Sequence, residues 1–133
     1  MFFVHWLGMS EGQEILIASS NARLRKQIRR FLPAGEFEVR LAEDELSCLR
    51  TAITRPIRLL IVDLHLRGEQ VLQTLATLRK MKPHLSIVVV GDNFTDAEGR
   101  RLSEIGVQYR MLTPLNAAEM RELIQALAGR EGR

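Results

Sequence analysis

The sequence predicts a single α/β domain: a doubly wound sheet of five parallel strands in the order 2-1-3-4-5, with helices on both faces. Three observations predict it. Short apolar runs alternate with amphipathic segments five times after Gln13. The runs RLLIVDL (58–64) and SIVVV (86–90) are apolar without alternation, as parallel strands buried on both faces are. Successive parallel strands also require right-handed crossovers, and a doubly wound sheet satisfies them with the fewest long connections. The chain has 133 residues, enough for one domain with its own core.

The elements follow in order. Glu14–Ala18 (EILIA) reads as a buried strand. Over 21–32, Leu24, Ile28, Phe31 and Leu32 share a helical face, Ser20 or Asn21 can cap its start, and Pro33 and Gly35 end it. Over 36–41, Phe37, Val39 and Leu41 alternate as on a half-buried strand. A helix over 43–54 places Leu46, Leu49 and Ile53 inward and closes before Pro56. The strand at 58–64 carries one acid, Asp63, near its end, and a helix over 69–81 turns Leu72, Leu75 and Leu78 inward. After the strand at 86–90, Thr95 and Glu98 form a capping-box pattern for a helix that runs to Ile105 and stops at Gly106. A strand over 107–112 and a last helix from Asn116, with Met120, Leu123, Ile124 and Leu127 inward, complete the domain over 14–129.

Residues 1–13 form an N-terminal apolar extension. The stretch Met1–Met9 (MFFVHWLGM) is too short to span a bilayer, which takes about 20 residues, and lacks the pattern of a signal peptide. A translation start at Met9 would remove Met1–Gly8; if present, Phe2, Phe3, Trp6 and Leu7 require a sheet edge, a groove or a second subunit to cover them. No membrane association is expected.

The net charge of +3 is mild, and the arginines are dispersed. With no basic stripe and no recognition helix, nucleic-acid binding by this domain is not expected. Cys48, the single cysteine, excludes an intramolecular disulfide, fits a cytoplasmic location and reads as a small core residue. His5, His65 and His84 are too scattered to suggest a metal site. Neither a phosphate-cradling glycine loop nor a nucleophile elbow is present, and nothing else reads as an enzyme.

In such a sheet, ligands bind beyond the carboxyl ends of the strands, where the strand order reverses. The residues expected there are Ser19 and Ser20 after the first strand, Asp63 after the third, Gly91 after the fourth and Thr113 after the fifth. The stretches ILIASSNARLR (15–25), LLIVDLHLRG (59–68) and MLTP (111–114), with Gly91 and Gly106 at matching distances, resemble the receiver domain of two-component response regulators. The resemblance covers Glu14 to about Leu127 and implies a flavodoxin-like three-layer sandwich. It makes Asp63 the equivalent of the phosphoacceptor. It also exposes departures: Ser19 and Ser20 stand where receivers carry two acids, Gly91 where they carry a hydroxyl residue, and Thr113, before Pro114, where they carry a lysine. Arg110 stands where the switching aromatic is usual, with Tyr109 beside it. In receivers the peptide bond before this proline is commonly cis.

The resemblance therefore implies a degenerate receiver, a pseudo-receiver in signal transduction, with Mg²⁺ binding weak or absent. Asp63 is expected to accept hydrogen bonds from Ser19, Ser20 or Thr113, with Arg67 and Asp92 near enough in sequence to reach the site. Because the chain ends soon after the domain, output is expected through a docking face formed by the fourth helix, fifth strand and fifth helix. Arg100, Arg101, Tyr109, Arg110 and Arg121 would form its basic rim, suited to a homodimer or an acidic partner. The implied partners are a histidine kinase, a phosphotransfer protein or a downstream effector. A conventional phosphorelay receiver phosphorylated at Asp63, and a small-molecule site in the emptied pocket, are the alternatives. The string Asp63-x-His65-x-x-Gly68 also resembles a cobalamin-binding signature, but it follows the third strand instead of the first and lacks that family's later Gly-Gly.

Overall fold

The computed structural model describes residues 14–33 and 35–129; the N-terminal extension and Ala34 lie outside them. In chain order the elements are β1 (Glu14–Ala18), α1 (Ala22–Arg30), β2 (Glu38–Ala42), α2 (Glu45–Thr54), β3 (Ile57–Asp63), α3 (Val71–Met81), β4 (Ser86–Gly91), α4 (Asp96–Ile105), β5 (Tyr109–Leu112) and α5 (Ala117–Ala128). The sheet order is β2-β1-β3-β4-β5, and every pair is parallel.

Successive strand residues feed opposite layers, as the two-residue period of a strand requires. Leu16, Leu60, Val62, Ile87 and Val89 pack with Cys48 and Ala52 of α2, Leu75 and Leu78 of α3, and Leu102 and Ile105 of α4. Ile15, Ile17, Leu59, Ile61, Val88, Val90 and Met111 face the other way, onto Ile28 of α1 and Met120, Ile124 and Ala128 of α5. The non-alternating apolar runs are thereby explained: each such strand is covered on both faces.

Helix ends are set by specific side chains. Asn21 Oδ1 accepts from the backbone N–H groups of Arg23 and Leu24 at 2.9 and 3.2 Å. Asp44 and Ser47, and Thr95 and Glu98, form reciprocal capping boxes. Gly106 ends α4 with φ 88°, a left-handed conformation that suits glycine.

Three sequence expectations change. Strand β2 begins at Glu38, and Leu41, expected on its inner side, is 46% exposed. The inward face of α2 is Cys48 and Ala52, whereas Leu49 is half-buried and Leu46 and Ile53 are 64% and 38% exposed. Small side chains let this helix lie close to the sheet, and its larger apolar residues fall on the flanks. Strand β5 begins at Tyr109, two residues later than the pattern predicts, because the N–H of Val107 closes the end of α4 on Leu102 O at 3.1 Å. The Thr113–Pro114 bond is cis.

Candidate functional site

The carboxyl ends of β1, β3, β4 and β5 surround a shallow depression of about 380 Å³ lined by Ser20, Asn21, Asp63, His65, Asp92 and Thr113, among others. Asp63, the last residue of β3, is half-buried beside it. Both carboxylate oxygens are already engaged. Ser19 donates its hydroxyl to Oδ2 at 2.8 Å, and the His65 N–H donates to Oδ1 at 2.9 Å.

Ser19 is fully buried, and its Oγ also accepts from the Asn21 N–H at 3.0 Å. One hydroxyl therefore ties the end of β3 to the capping residue of α1. Among the described residues, no lysine or arginine forms an ion pair with Asp63.

Ser20 does not join Asp63. Its hydroxyl donates to Glu43 O at 2.6 Å and accepts from the Arg67 N–H at 2.8 Å, so both of its roles are taken by neighbouring loops. Arg67 is likewise diverted. Its carbonyl accepts from the Glu45 N–H at 2.8 Å, and its side chain lines a separate depression with Asp44, Leu46, Leu49 and Thr74. Stitching between the β2–α2 and β3–α3 loops thus takes up the Ser20 hydroxyl and the Arg67 backbone, while Ser20 still lines the depression.

Thr113 keeps its place at the rim, its N–H donating to Gly91 O at 3.0 Å, and no hydrogen bond joins it to Asp63. Also at the rim, His65 Nε2 lies 3.5 Å from Asp92 Oδ1, with both side chains mostly exposed. Among the described residues, no group of three or more His, Cys, Asp or Glu side chains is placed to hold a metal ion.

The sequence pattern does not single out Arg25. Its largely buried side chain reaches from α1 to donate to Ser19 O at 2.5 Å, with Glu43 at 3.8 Å. The only hint is spacing: Arg25 lies one residue beyond Leu24 and three before Ile28, beside the apolar face of α1.

The expected basic rim divides. Arg100 and Arg110 line a groove with Phe94, Asp96, Gly99 and Glu104, so acids are interspersed. Arg101 instead lines the groove toward α3 with Glu98, Glu69 and Leu72. Adjacent helical residues point about 100° apart, which separates the pair. The Tyr109 hydroxyl donates to Glu119 Oε2 at 2.5 Å, and this hydrogen bond to a carboxylate raises the phenol's pKa. Arg121 is exposed on α5. Elsewhere, burial, with Glu45 and Asp44 nearby, pushes the Cys48 thiol up to about 12. Among the described residues, no helix is long and apolar enough to cross a membrane.

Residues 15–125 match the family model of the response regulator receiver domain. The chain belongs to that family. Among solved structures, this receiver is similar to a CheY-like receiver domain protein of Methanospirillum hungatei JF-1. Identity is 18% over 86% of this chain and 91% of that one, with a TM-score of 0.80. The receiver domain of AraT from Geobacillus stearothermophilus gives 23% identity over 87% and 92% of the two chains, with a TM-score of 0.78. A Burkholderia pseudomallei response regulator, solved with a phosphorylated aspartic acid, a calcium ion and citrate, gives 23% over 86% of this chain and 66% of that one, with a TM-score of 0.74. At these identities the likeness speaks for the fold. Asp63 ends β3, and the positions around it carry Ser19, Ser20, Gly91 and Thr113.

Proposed function

We propose that this receiver acts mainly as a protein-interaction module in signalling, with Mg²⁺-dependent phosphorylation of Asp63 impaired. The observation that carries the reading is the environment of the Asp63 carboxylate, held by a neutral hydroxyl and a backbone N–H. Mg²⁺ prefers oxygen ligands arranged octahedrally and is usually held by one or two carboxylates together with phosphate. Here Ser19 offers a hydroxyl already committed to Asp63, and Ser20 turns to Glu43 and Arg67. Each acid replaced by a serine removes an attraction of roughly 4 kcal/mol per unit of cation charge at ~4 Å and an effective dielectric of ~20, before solvation is discounted. This donor set fits the ion poorly. Thr113 supplies no positive charge to meet phosphoryl oxygens, a role that charge-assisted contacts otherwise fill.

Output then rests on surface recognition by a histidine kinase, a phosphotransfer protein or a downstream effector. The face of α4, β5 and α5 bears Arg100, Tyr109, Arg110 and Arg121 interspersed with acids, and it suits a partner of mixed charge. A Mg²⁺ titration followed by thermal melting tests the ion's part. The native chain is expected to show no shift at millimolar Mg²⁺, whereas Ser19→Asp/Ser20→Asp/Thr113→Lys gains one. A shift in the native chain overturns the reading.

A second reading has one observation in its favour: Asp63 borders the depression and pairs with no cation among the described residues. On that reading the receiver is phosphorylated slowly at Asp63 by a kinase or phosphotransfer protein.

A further inference from the structure

Gly91, at the end of β4, is buried, and a Cβ there would lie 3.2 Å from Phe94 Cζ and 3.5 Å from Leu64 Cβ. The Phe94 ring thus occupies space that a side chain at position 91 would need. The Arg110 guanidinium lies over that ring, with Cζ 5.7 Å from its centroid, within reach of a cation–π attraction. The same guanidinium presses on α4 where the backbone is bare: a Cβ on Gly99 would collide with Arg110 Nη1. Phe94, Gly99 and Arg110 line one groove. Two glycines, an aromatic ring and a guanidinium therefore form a continuous stack from the depression beside Asp63 to the outer surface of α4 and β5.

The placement of the glycines is informative. Gly99 sits inside a helix, where glycine costs about 1 kcal/mol relative to alanine, and its φ is not left-handed, so backbone geometry does not require it. A Cβ there would instead displace the flexible end of the Arg110 side chain. Gly91 is also free of positive φ, and a Cβ there would press on the Phe94 ring by a few tenths of an ångström. Both positions exchange a side chain for the seating of a neighbour.

We propose that Gly91, Phe94, Arg110 and Gly99 form a latch that fastens the 91–95 loop to β5 and keeps the α4–β5 face in one arrangement. Phe94 anchors the loop by packing against the core beside Leu64. Arg110 clamps the ring from outside, and Gly99 gives the clamp its seat. The loop that borders Asp63 cannot shift without displacing Arg110 on the outer face. The latch rests on packing alone and is independent of whether Asp63 is phosphorylated.

Amide hydrogen exchange tests it at two positions the latch should protect: Thr113, whose N–H reaches Gly91 O, and Thr95, whose N–H reaches Glu98 Oε1. Arg110→Gln, which removes charge with little change of size, is expected to speed exchange at both sites by about two- to fivefold, the factor matching an exposed cation–π contact. Phe94→Leu is expected to act at the same sites, and the double variant to exceed the larger single effect by little, because the two residues act as one unit. Gly99→Ala is the decisive variant. It favours the helix, so the urea midpoint should hold or rise, while eviction of Arg110 should loosen the loop to the extent seen in Arg110→Gln. Additive effects of Arg110→Gln and Phe94→Leu overturn the latch, and so does Gly99→Ala with unchanged exchange at Thr95 and Thr113, whatever its urea midpoint.

Discussion

Glu14 and Asp63 are carboxylates at opposite ends of the same sheet, and their partners differ in kind. Glu14, at the start of β1, is buried and meets two guanidiniums: Arg55 Nη2 at 2.7 Å and Arg40 Nε at 3.3 Å. Asp63, at the end of β3, is held among the described residues by the Ser19 hydroxyl and the His65 N–H. The Arg55 hydrogen bond, supported by Arg40, keeps the Glu14 carboxyl below its ordinary range against the upward pull of burial. The first acid is fixed by charge and serves the fold. The second is held by neutral donors, which is enough to order a side chain.

Breaking each acid in turn sharpens the contrast. Glu14→Gln removes the buried charge that Arg55 and Arg40 both meet and should cost about 2 kcal/mol in urea unfolding. That is less than a fully buried pair, because the Arg55 and Arg40 side chains are 42% and 36% exposed and solvent screens them. Asp63→Asn retains an acceptor for one donor and should stay within about 1 kcal/mol of the native chain. Equal losses for the two variants would erase the distinction.

The pH dependence follows from the same difference. Glu14 has a folded pKa below its unfolded value, so its contribution is present above the unfolded pKa, about 4.3. It is lost as pH falls through the folded pKa. Asp44, lowered by the Ser47 backbone N–H at its helix cap, adds in the same direction. Urea midpoints between pH 3 and pH 6 should therefore fall toward acid, and Glu14→Gln should flatten that slope without abolishing it.

Smaller effects belong to the Asp63 end. Ser19→Ala removes the donor to Oδ2 and the acceptor for the Asn21 N–H together, an expected loss of about 1 kcal/mol in the same assay. At the bottom of the scale, Glu43→Gln breaks a 3.8 Å pair with Arg25 in which the glutamate is largely exposed, and less than about 0.5 kcal/mol should follow. Cys48 offers a separate check on the core. With its thiol pushed up to about 12 by burial, it should resist alkylation until the chain is unfolded.

What was legible in the sequence was whatever short-range pattern controls. The apolar runs of β3 and β4, the Thr95–Glu98 box and the Gly106 stop each depend on neighbours within a few residues. The location of Asp63 and Thr113 was legible for another reason, because it follows from the order of the strands they end. Ser20 and Arg67 were not legible as partners of each other, because their contact joins loops 47 residues apart in sequence. Helix α2 misleads for another reason: hydrophobic periodicity weights Leu46 and Ile53, while close approach to the sheet selects the small Cys48 and Ala52. Arg100 and Arg101 are neighbours in sequence, yet they line grooves on opposite flanks of α4. The sequence marks Gly91 only as a departure at the hydroxyl position and gives Gly99 no role; the contacts with Phe94 and Arg110 are visible only in the structure.

The most direct measurement of the central claim is intact mass after incubation with phosphoramidate or acetyl phosphate and Mg²⁺, with Asp63→Asn as control. The native receiver is expected to gain no phosphoryl adduct under conditions that restore one in Ser19→Asp/Ser20→Asp/Thr113→Lys. An adduct on the native chain that disappears in Asp63→Asn would contradict the account and make Asp63 a working phosphoacceptor.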